Sequence, residues 1–302
     1  MVDKLVLLSP HIRPRFETLA TKDGEKRDGY AAVIDLRKAK YKIPARLYCR
    51  GYYNGIHKLE FIDVAGLGLP QVLRIARTIF GSINDVKICR IDLCLDFDGI
   101  SVEFFSANCL IPKIQNYKIF RTRGAVSYYL QVSGGRTTVI YNKLAELRAK
   151  QSPRADDFHA RDTLTRVEIQ LKGNGVPFKR LRNIHKYARA NLLQNLQWSR
   201  LRTDLKPTKA THFLAQMGLR ALIKADGLQR VSKMFQPSAW AWIKATFLVP
   251  MENTKRPKLD VLLRKSVQDW LDGKIRFPRA AGNEQEWEEL RNWLATKTKG
   301  RT

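Results

Sequence analysis

The chain has 302 residues, 44% hydrophobic and 10% aromatic, which is the composition of a folded globular protein and excludes a disordered one. Fifty-five Lys and Arg against 28 Asp and Glu leave a formal net charge of +27, with a pI near 10.2. An excess of that size points to a polyanion, nucleic acid before anionic membrane, because each neutralised phosphate releases counterions. No apolar run approaches the roughly 20 residues needed to span a bilayer, and no basic amphipathic segment stands out.

In chain order, MVDKLVLLSPHI is apolar but short, with an acid at position 3, which is the wrong arrangement for a signal peptide. A cytoplasmic protein is the expectation. LVLLS and YAAVIDL read as strands. ARLYCRGYYNGIHKLEFID reads as a hairpin with Asn54-Gly55 as a type I′ turn. LPQVLRIARTIFG has helical periodicity, with Pro70 in its first turn and Gly81 past its end. CRIDLCLDFDG alternates as a strand, Ile91, Leu93, Leu95 and Phe97 on one face and Asp92, Asp96 and Asp98 on the other. The plain reading of that second face is a wet one. Ser101 caps a short helix through Asn108. NYKIFRTR, AVSYYLQVS and RTTVIY follow as strands, Gly134-Gly135 turning the second into the third, and NKLAELRAK continues as a helix. QSPRADDFHARD is a polar connector, TLTRVEIQLK a long alternating strand, and Pro177 to Gln197 a helical stretch.

From about Trp198 no strand is expected. THFLAQMGLRALIKADG, AWAWIKATFL, LDVLLRKSVQDWLDG and EQEWEELRNWLATK read as helices, and all six tryptophans lie in this part, where they are expected to form its core. The organisation expected is an α+β domain over residues 1–197 and a smaller all-helical domain over 198–302. No repeat appears. Cys49, Cys89, Cys94 and Cys109 form no zinc pattern and read as buried thiols; the five histidines form no metal-ligand pair.

Three alternating strands carry a polar reactive group each: Asp92 with Asp96; Tyr141 at a strand end, followed by Lys143 and Glu146; and Arg166, Glu168 and Gln170 on one face of TRVEIQLK. Glu60 in HKLEF is a weaker fourth. On one sheet these would form a carboxylate cluster beside a phenol. Clustered carboxylates suit Mg²⁺ or Mn²⁺, and such a cation, or the Lys143 ammonium, would favour the phenolate of Tyr141. Basic residues that would meet phosphate are Arg121 and Arg123 in KIFRTRG, and Lys179, Arg180, Arg182 and Lys186 in FKRLRNIHKYAR. Of Tyr128 and Tyr129, one should face outward, where it would stack an unpaired base. No Gly-rich phosphate loop is present.

The order MVDKLVLLSPHI, AAVIDLRK, CRIDLCLDF, GRTTVIYNKLAEL, LTRVEIQLKGNGVPF resembles the filamentous-phage replication initiators, the gene II protein family, and the rolling-circle initiators of staphylococcal-type plasmids, over roughly residues 1–195. Strand-Tyr-x-Lys-x-x-Glu is its most specific element. The resemblance implies an antiparallel-sheet, nickase-type catalytic domain that nicks one strand of a replication origin through a covalent 5′-phosphotyrosine and later re-joins the displaced strand. Tyr141 matches the nucleophile, Asp92 and Glu168 the metal-binding acids, Glu146 and Glu60 further acids. Asp96 matches the plasmid-type pattern, and Arg166, in the Arg-x-Glu element, is expected to contact DNA. Origin DNA, Mg²⁺ or Mn²⁺ and the host helicase and polymerase are the partners implied. The alternative is a non-catalytic basic DNA-binding protein, a repressor or packaging factor, on the same fold.

Overall fold

A computed structural model describes residues 1–38, 43–52, 54–61, 64, 66–111, 114–122, 125–132, 134–151, 163–193, 197–202, 210–250 and 259–274. It is α+β, built on a large antiparallel sheet. β1 (Val2–Ser9) is followed by α1 (Pro14–Asp23), β2 (Glu25–Arg27), β3 (Tyr30–Asp35), β4 (Ala45–Gly51), β5 (His57–Phe61) and α2 (Gly68–Phe80). Then come β6 (Lys87–Asp98), α3 (Val102–Asn108), the two-residue β7 (Cys109–Leu110), β8 (Ile114–Thr122), β9 (Ala125–Val132), β10 (Arg136–Asn142), α4 (Lys143–Ala149), β11 (Leu164–Lys172) and a 3-10 helix over Leu181–Arg189. Ten of these strands form one sheet in the order β2-β3-β4-β5-β1-β6-β11-β10-β9-β8.

That order repeats itself. Outward from the β1/β6 seam, one half runs β1, β5, β4, β3, β2 and the other β6, β11, β10, β9, β8. Each half is a strand, a helix, three strands on the outside and a final strand returning beside the first. The registers agree with a pseudo-dyad at the seam. Tyr48 faces Lys58 across β4/β5 as Tyr141 faces Arg166 across β10/β11, and Glu60 and Glu168 lie two residues further on. Lys4 and Asp92, equivalent by this matching, are direct cross-strand partners. The repeat was invisible in the sequence because it is one of topology and register.

The alternation of β6 decides the two faces. Ile91, Leu93, Leu95 and Phe97 join Leu5, Leu7, Val167, Ile169 and Leu171 in the main core, under Phe16 of α1 and Val72, Ala76 and Ile79 of α2. Each such side chain contributes roughly 1.5–3 kcal/mol by leaving water, so register on this face is strongly fixed. Gly81 ends α2 at φ 88°, its N–H on the Arg77 carbonyl at 2.9 Å. Ser101 caps α3 through the Phe104 N–H at 3.2 Å, as expected.

Several expectations change. The wet-face reading of β6 fails, since Asp92 and Asp96 are 1% and 5% exposed. The β4–β5 turn is not type I′: Asn54 is not at positive φ, and its side chain instead accepts the Ile56 N–H at 3.0 Å. Residues 181–189 are a 3-10 helix, burying Leu181, Ile184 and Tyr187 at every third position. Beyond residue 197 there are strands as well as helices. β12 (Gln197–Leu201) pairs with β7 and with β13 (Leu248–Pro250), beside α5 (Ala210–Asp226), α6 (Leu228–Met234) and α7 (Pro237–Phe247) around a smaller core. α8 (Leu259–Leu271) belongs to the main core instead. Leu263, Val267 and Trp270 pack there, and the Trp270 indole N–H reaches the Val64 carbonyl at 3.0 Å. Trp242 is 52% exposed. Residues 152–162, Arg123 and the EQEWEELRNWLATK segment lie outside the described residues. No helix among the described residues is long and apolar enough to cross a membrane.

Candidate active site

The face of the sheet opposite the main core is polar. Across β1, β6, β11 and β10, antiparallel register sets Lys4, Asp92 and Gln170 in one row, then Cys94, Glu168 and Val139, then Asp96, Arg166 and Tyr141. Side chains two apart on each strand share this face, so Tyr141 and Glu168 meet diagonally. The Tyr141 hydroxyl donates to Glu168 Oε2 at 3.1 Å, and the Gln170 amide donates to Glu168 Oε1 at 2.7 Å. The helix that follows Tyr141 is started by Asn142, whose side chain accepts the Ala145 N–H at 2.9 Å. This start holds the Lys143 ammonium 5.8 Å from the Tyr141 ring centre, donating to Glu146 at 2.6 Å.

Arg166 does not face solvent. It is 3% exposed, forks onto both oxygens of Asp96 at 2.6 and 2.7 Å, and reaches Asp3 with its remaining nitrogen at 2.5 Å. The guanidinium expected to meet DNA is thus committed to two carboxylates. Asp92 is held by the Arg90 guanidinium, Nε at 2.9 Å from Oδ1 and Nη2 at 2.5 Å from Oδ2. Glu146 is shared by Lys143 and Lys150. Glu60 lies on β5, four strand spacings or about 19 Å from β10. It is bound there by Lys4 at 2.5 Å and by the Tyr48 hydroxyl at 3.0 Å. This is the counterpart cluster of the other half, with the Lys58 ammonium 3.5 Å from the Tyr48 ring centre. Burial, with the Glu60 charge beside it, pushes the Tyr48 phenol up to about 12.

Burial dominates the electrostatics of the Tyr141 site. It pushes the Tyr141 phenol far above its ordinary value; Arg166 draws it down, while Glu168, Asp3 and Glu146 push it up. Burial also raises the Glu168 carboxyl, reinforced by the charges of Asp3 and Asp92. Asp92 is raised for the same first reason, against the pull of Arg90 and with Asp3 adding to the rise. Asp3 itself lies below its ordinary value, because Arg166 and Lys143 outweigh its burial. Among the described residues no three His, Cys, Asp or Glu side chains close around one point. Asp3, Asp92 and Glu168 are hard oxygen donors on one face, the chemistry that suits a hard cation, with Asp92 held by Arg90 and Asp3 by Arg166.

The other basic residues fall elsewhere. Lys179, Arg180, Arg182 and Lys186 are exposed on or beside the 3-10 helix, which packs on the core face, away from Tyr141. Arg121 shares the core-side face of β8 with Ile119 and donates to the Ala225 carbonyl at 3.2 Å. Tyr128 is buried and Tyr129 faces outward, beside Phe120 on the same side as Tyr141, their ring centres 5.0 Å apart. Asp3, Lys4, Arg90 and Lys172 were missed. Arg90 and Lys172 continue the polar faces of β6 and β11, so alternation marks their side but not their role, whereas only the insertion of β1 beside β6 brings Asp3 and Lys4 to the site. No protein-family model and no curated protein matches the chain.

Proposed function

We propose that the protein is a DNA strand transferase, a replication initiator of the rolling-circle type, whose nucleophile is Tyr141 and whose proton acceptor is Glu168. The observation that carries this reading is the 3.1 Å contact between phenol and carboxylate on a polar sheet face of a strongly basic chain.

A phenol is a weak nucleophile at neutral pH, and burial makes this one weaker until its proton has somewhere to go. Glu168 supplies the acceptor. Its raised carboxyl is a better base than an ordinary glutamate, and the existing hydrogen bond sets the transfer path. In the step proposed, the Tyr141 oxygen attacks a backbone phosphorus and its proton passes to Glu168. The bond to the 3′ oxygen breaks and that oxygen takes up a proton from water, leaving a 5′-phosphotyrosine and a 3′ hydroxyl. Re-joining is the reverse, with a 3′ hydroxyl attacking the same phosphorus and Tyr141 leaving. One phosphodiester replaces another, so no nucleotide cofactor is needed. Arg166 holds Asp96 and Asp3 in place and lends the nascent phenolate positive charge. Asp92 and Asp3 would hold Mg²⁺ or Mn²⁺, leaving Glu168 to take the phenol proton. When bound, such an ion polarises the phosphate and stabilises the departing oxygen.

The test is incubation of the purified chain with a randomised pool of single-stranded oligonucleotides and Mn²⁺, followed by peptide mass spectrometry. A nucleotidyl adduct on Tyr141, absent from Tyr141→Phe, is expected. DNA binding without an adduct would favour the non-catalytic alternative, and an adduct on another residue would refute the assignment.

A further inference from the structure

The polar face holds a second concentration of charge, of the opposite sign. Arg90 and Lys172 are direct cross-strand partners on β6 and β11. Lys4 lies in the adjoining row, opposite Asp92. Like charges placed directly opposite each other in a sheet are destabilising. Arg90 is partly compensated by Asp92 and Lys4 by Glu60. Lys172 is exposed and has no carboxylate within ion-pair distance among the described residues. Burial and the charges of Arg90 and Lys4 lower its ammonium, against the pull of Asp92 and Glu168. The fold therefore holds a lysine without an ion-pair partner among the described residues directly opposite an arginine, on the face that carries the candidate active site.

On the other side of Tyr141 the same face carries the Phe120–Tyr129 pair, 51% and 36% exposed. Tyr129 is level with Val139 and, through it, with Glu168. Lys172 lies four residues along β11 from Glu168, about 14 Å at ~3.4 Å per residue. A basic seat and an exposed aromatic pair thus flank the phenol–carboxylate pair on one face.

We propose that Lys172, with Arg90 and Lys4, seats a backbone phosphate of single-stranded DNA that crosses this face, its bases stacking on Phe120 and Tyr129 and its scissile phosphate lying over Tyr141 and Glu168. The strand-transferase reading fixes the position of the scissile phosphate, and this inference rests on it. The occupant is a single strand because exposed aromatic rings stack only unpaired bases, and because the pair and the seat share one sheet face, Tyr129 lying two strands and four residue levels from Lys172, roughly 17 Å. The pseudo-dyad accounts for the asymmetry of the two halves. Where the C-terminal half has Asp92, the N-terminal half has Lys4, whose ammonium occupies Glu60. One half is built for chemistry and the seam for holding phosphate.

The experiment measures binding of a fluorescein-labelled 30-nucleotide mixed-sequence single strand, and of the same sequence as a duplex, by anisotropy across a salt series. The proteins compared are the wild-type chain, Lys172→Gln, Phe120→Ala and Arg220→Gln, the last removing a charge from the exposed surface of α5. Losing one phosphate contact should flatten the slope of log K against log salt by about 0.7 in Lys172→Gln and weaken binding several-fold. Phe120→Ala should weaken binding roughly 5- to 100-fold with the slope unchanged. Lys172→Gln indistinguishable from Arg220→Gln, tighter binding of the duplex, or salt-independent binding would each overturn the seat. The adduct assay separates this inference from its premise. A flattened slope in Lys172→Gln without any Tyr141 adduct keeps the seat and removes the transferase, whereas an adduct with an unaltered slope does the reverse.

Discussion

Arg166 is the residue whose placement departs most from its expected role, and replacing it tests the electrostatics of the whole face. Arg166→Met removes a guanidinium from a site where Asp96 is 5% exposed and where both Asp96 oxygens receive charge-assisted hydrogen bonds, at 2.6 and 2.7 Å. Each such bond contributes about 1.5–3 kcal/mol, and water has little access to replace them. Removing one partner of a buried pair strands the other, which costs about 3–5 kcal/mol. For a domain of 150–250 residues, 1 kcal/mol corresponds to about 2–4 °C in Tm, so a fall of roughly 6–20 °C is expected at pH 7. The pair itself is less valuable than its breakage implies, because burying both charges has already cost desolvation. Arg166→Met/Asp96→Leu should therefore recover most of the loss, and Arg166→Lys, which keeps the charge but not the fork, should fall between. Thermal and urea unfolding by circular dichroism measure all three. Arg166→Met within 1 kcal/mol of wild type, or a double variant no more stable than the single, would refute the claim that Arg166 acts by holding Asp96.

Two further outcomes follow from the geometry. Glu168 lies above its ordinary value near 4.5, so its ionisation costs the folded state; that share of stability is intact at low pH and is lost as pH rises through the folded value. Glu168→Gln should accordingly abolish strand transfer yet gain in Tm over wild type as pH is raised from 4 to 7. A pH-independent Tm difference would contradict the cause assigned to the shift. Gly135 has φ +83°, and a Cβ there would stand 2.2 Å from the Lys172 carbonyl, whereas at Gly134, φ +79°, it would meet nothing within 4 Å. Gly135→Ala should cost well over 1 kcal/mol by urea unfolding and Gly134→Ala about 1; equal losses would mean that the β9–β10 turn is not packed against Lys172.

Local periodicity determined most of the strands of the large sheet and which face their side chains take, but not β12 and β13, whose short segments carry no alternation. The alternation of β6 and β11, the Ser101 cap, the opposite faces of Tyr128 and Tyr129 and the helix directly after Tyr141 were legible because each depends on neighbours within a few residues. It separated Glu60 from His57 by face, but not Glu60 from Glu168 by half, since both sit in equally good polar strand faces. Only the tertiary structure decided that Asp96 pairs with Arg166, 70 residues away, that Asp3 arrives from β1, and that Arg90 faces Lys172. Strand order and register are set by core contacts between distant segments, and no local pattern encodes which strand lies beside which. For the same reason the sequence supplied the acids and bases of the site, while the fold chose which acids keep a cation of their own and which charges remain for a ligand.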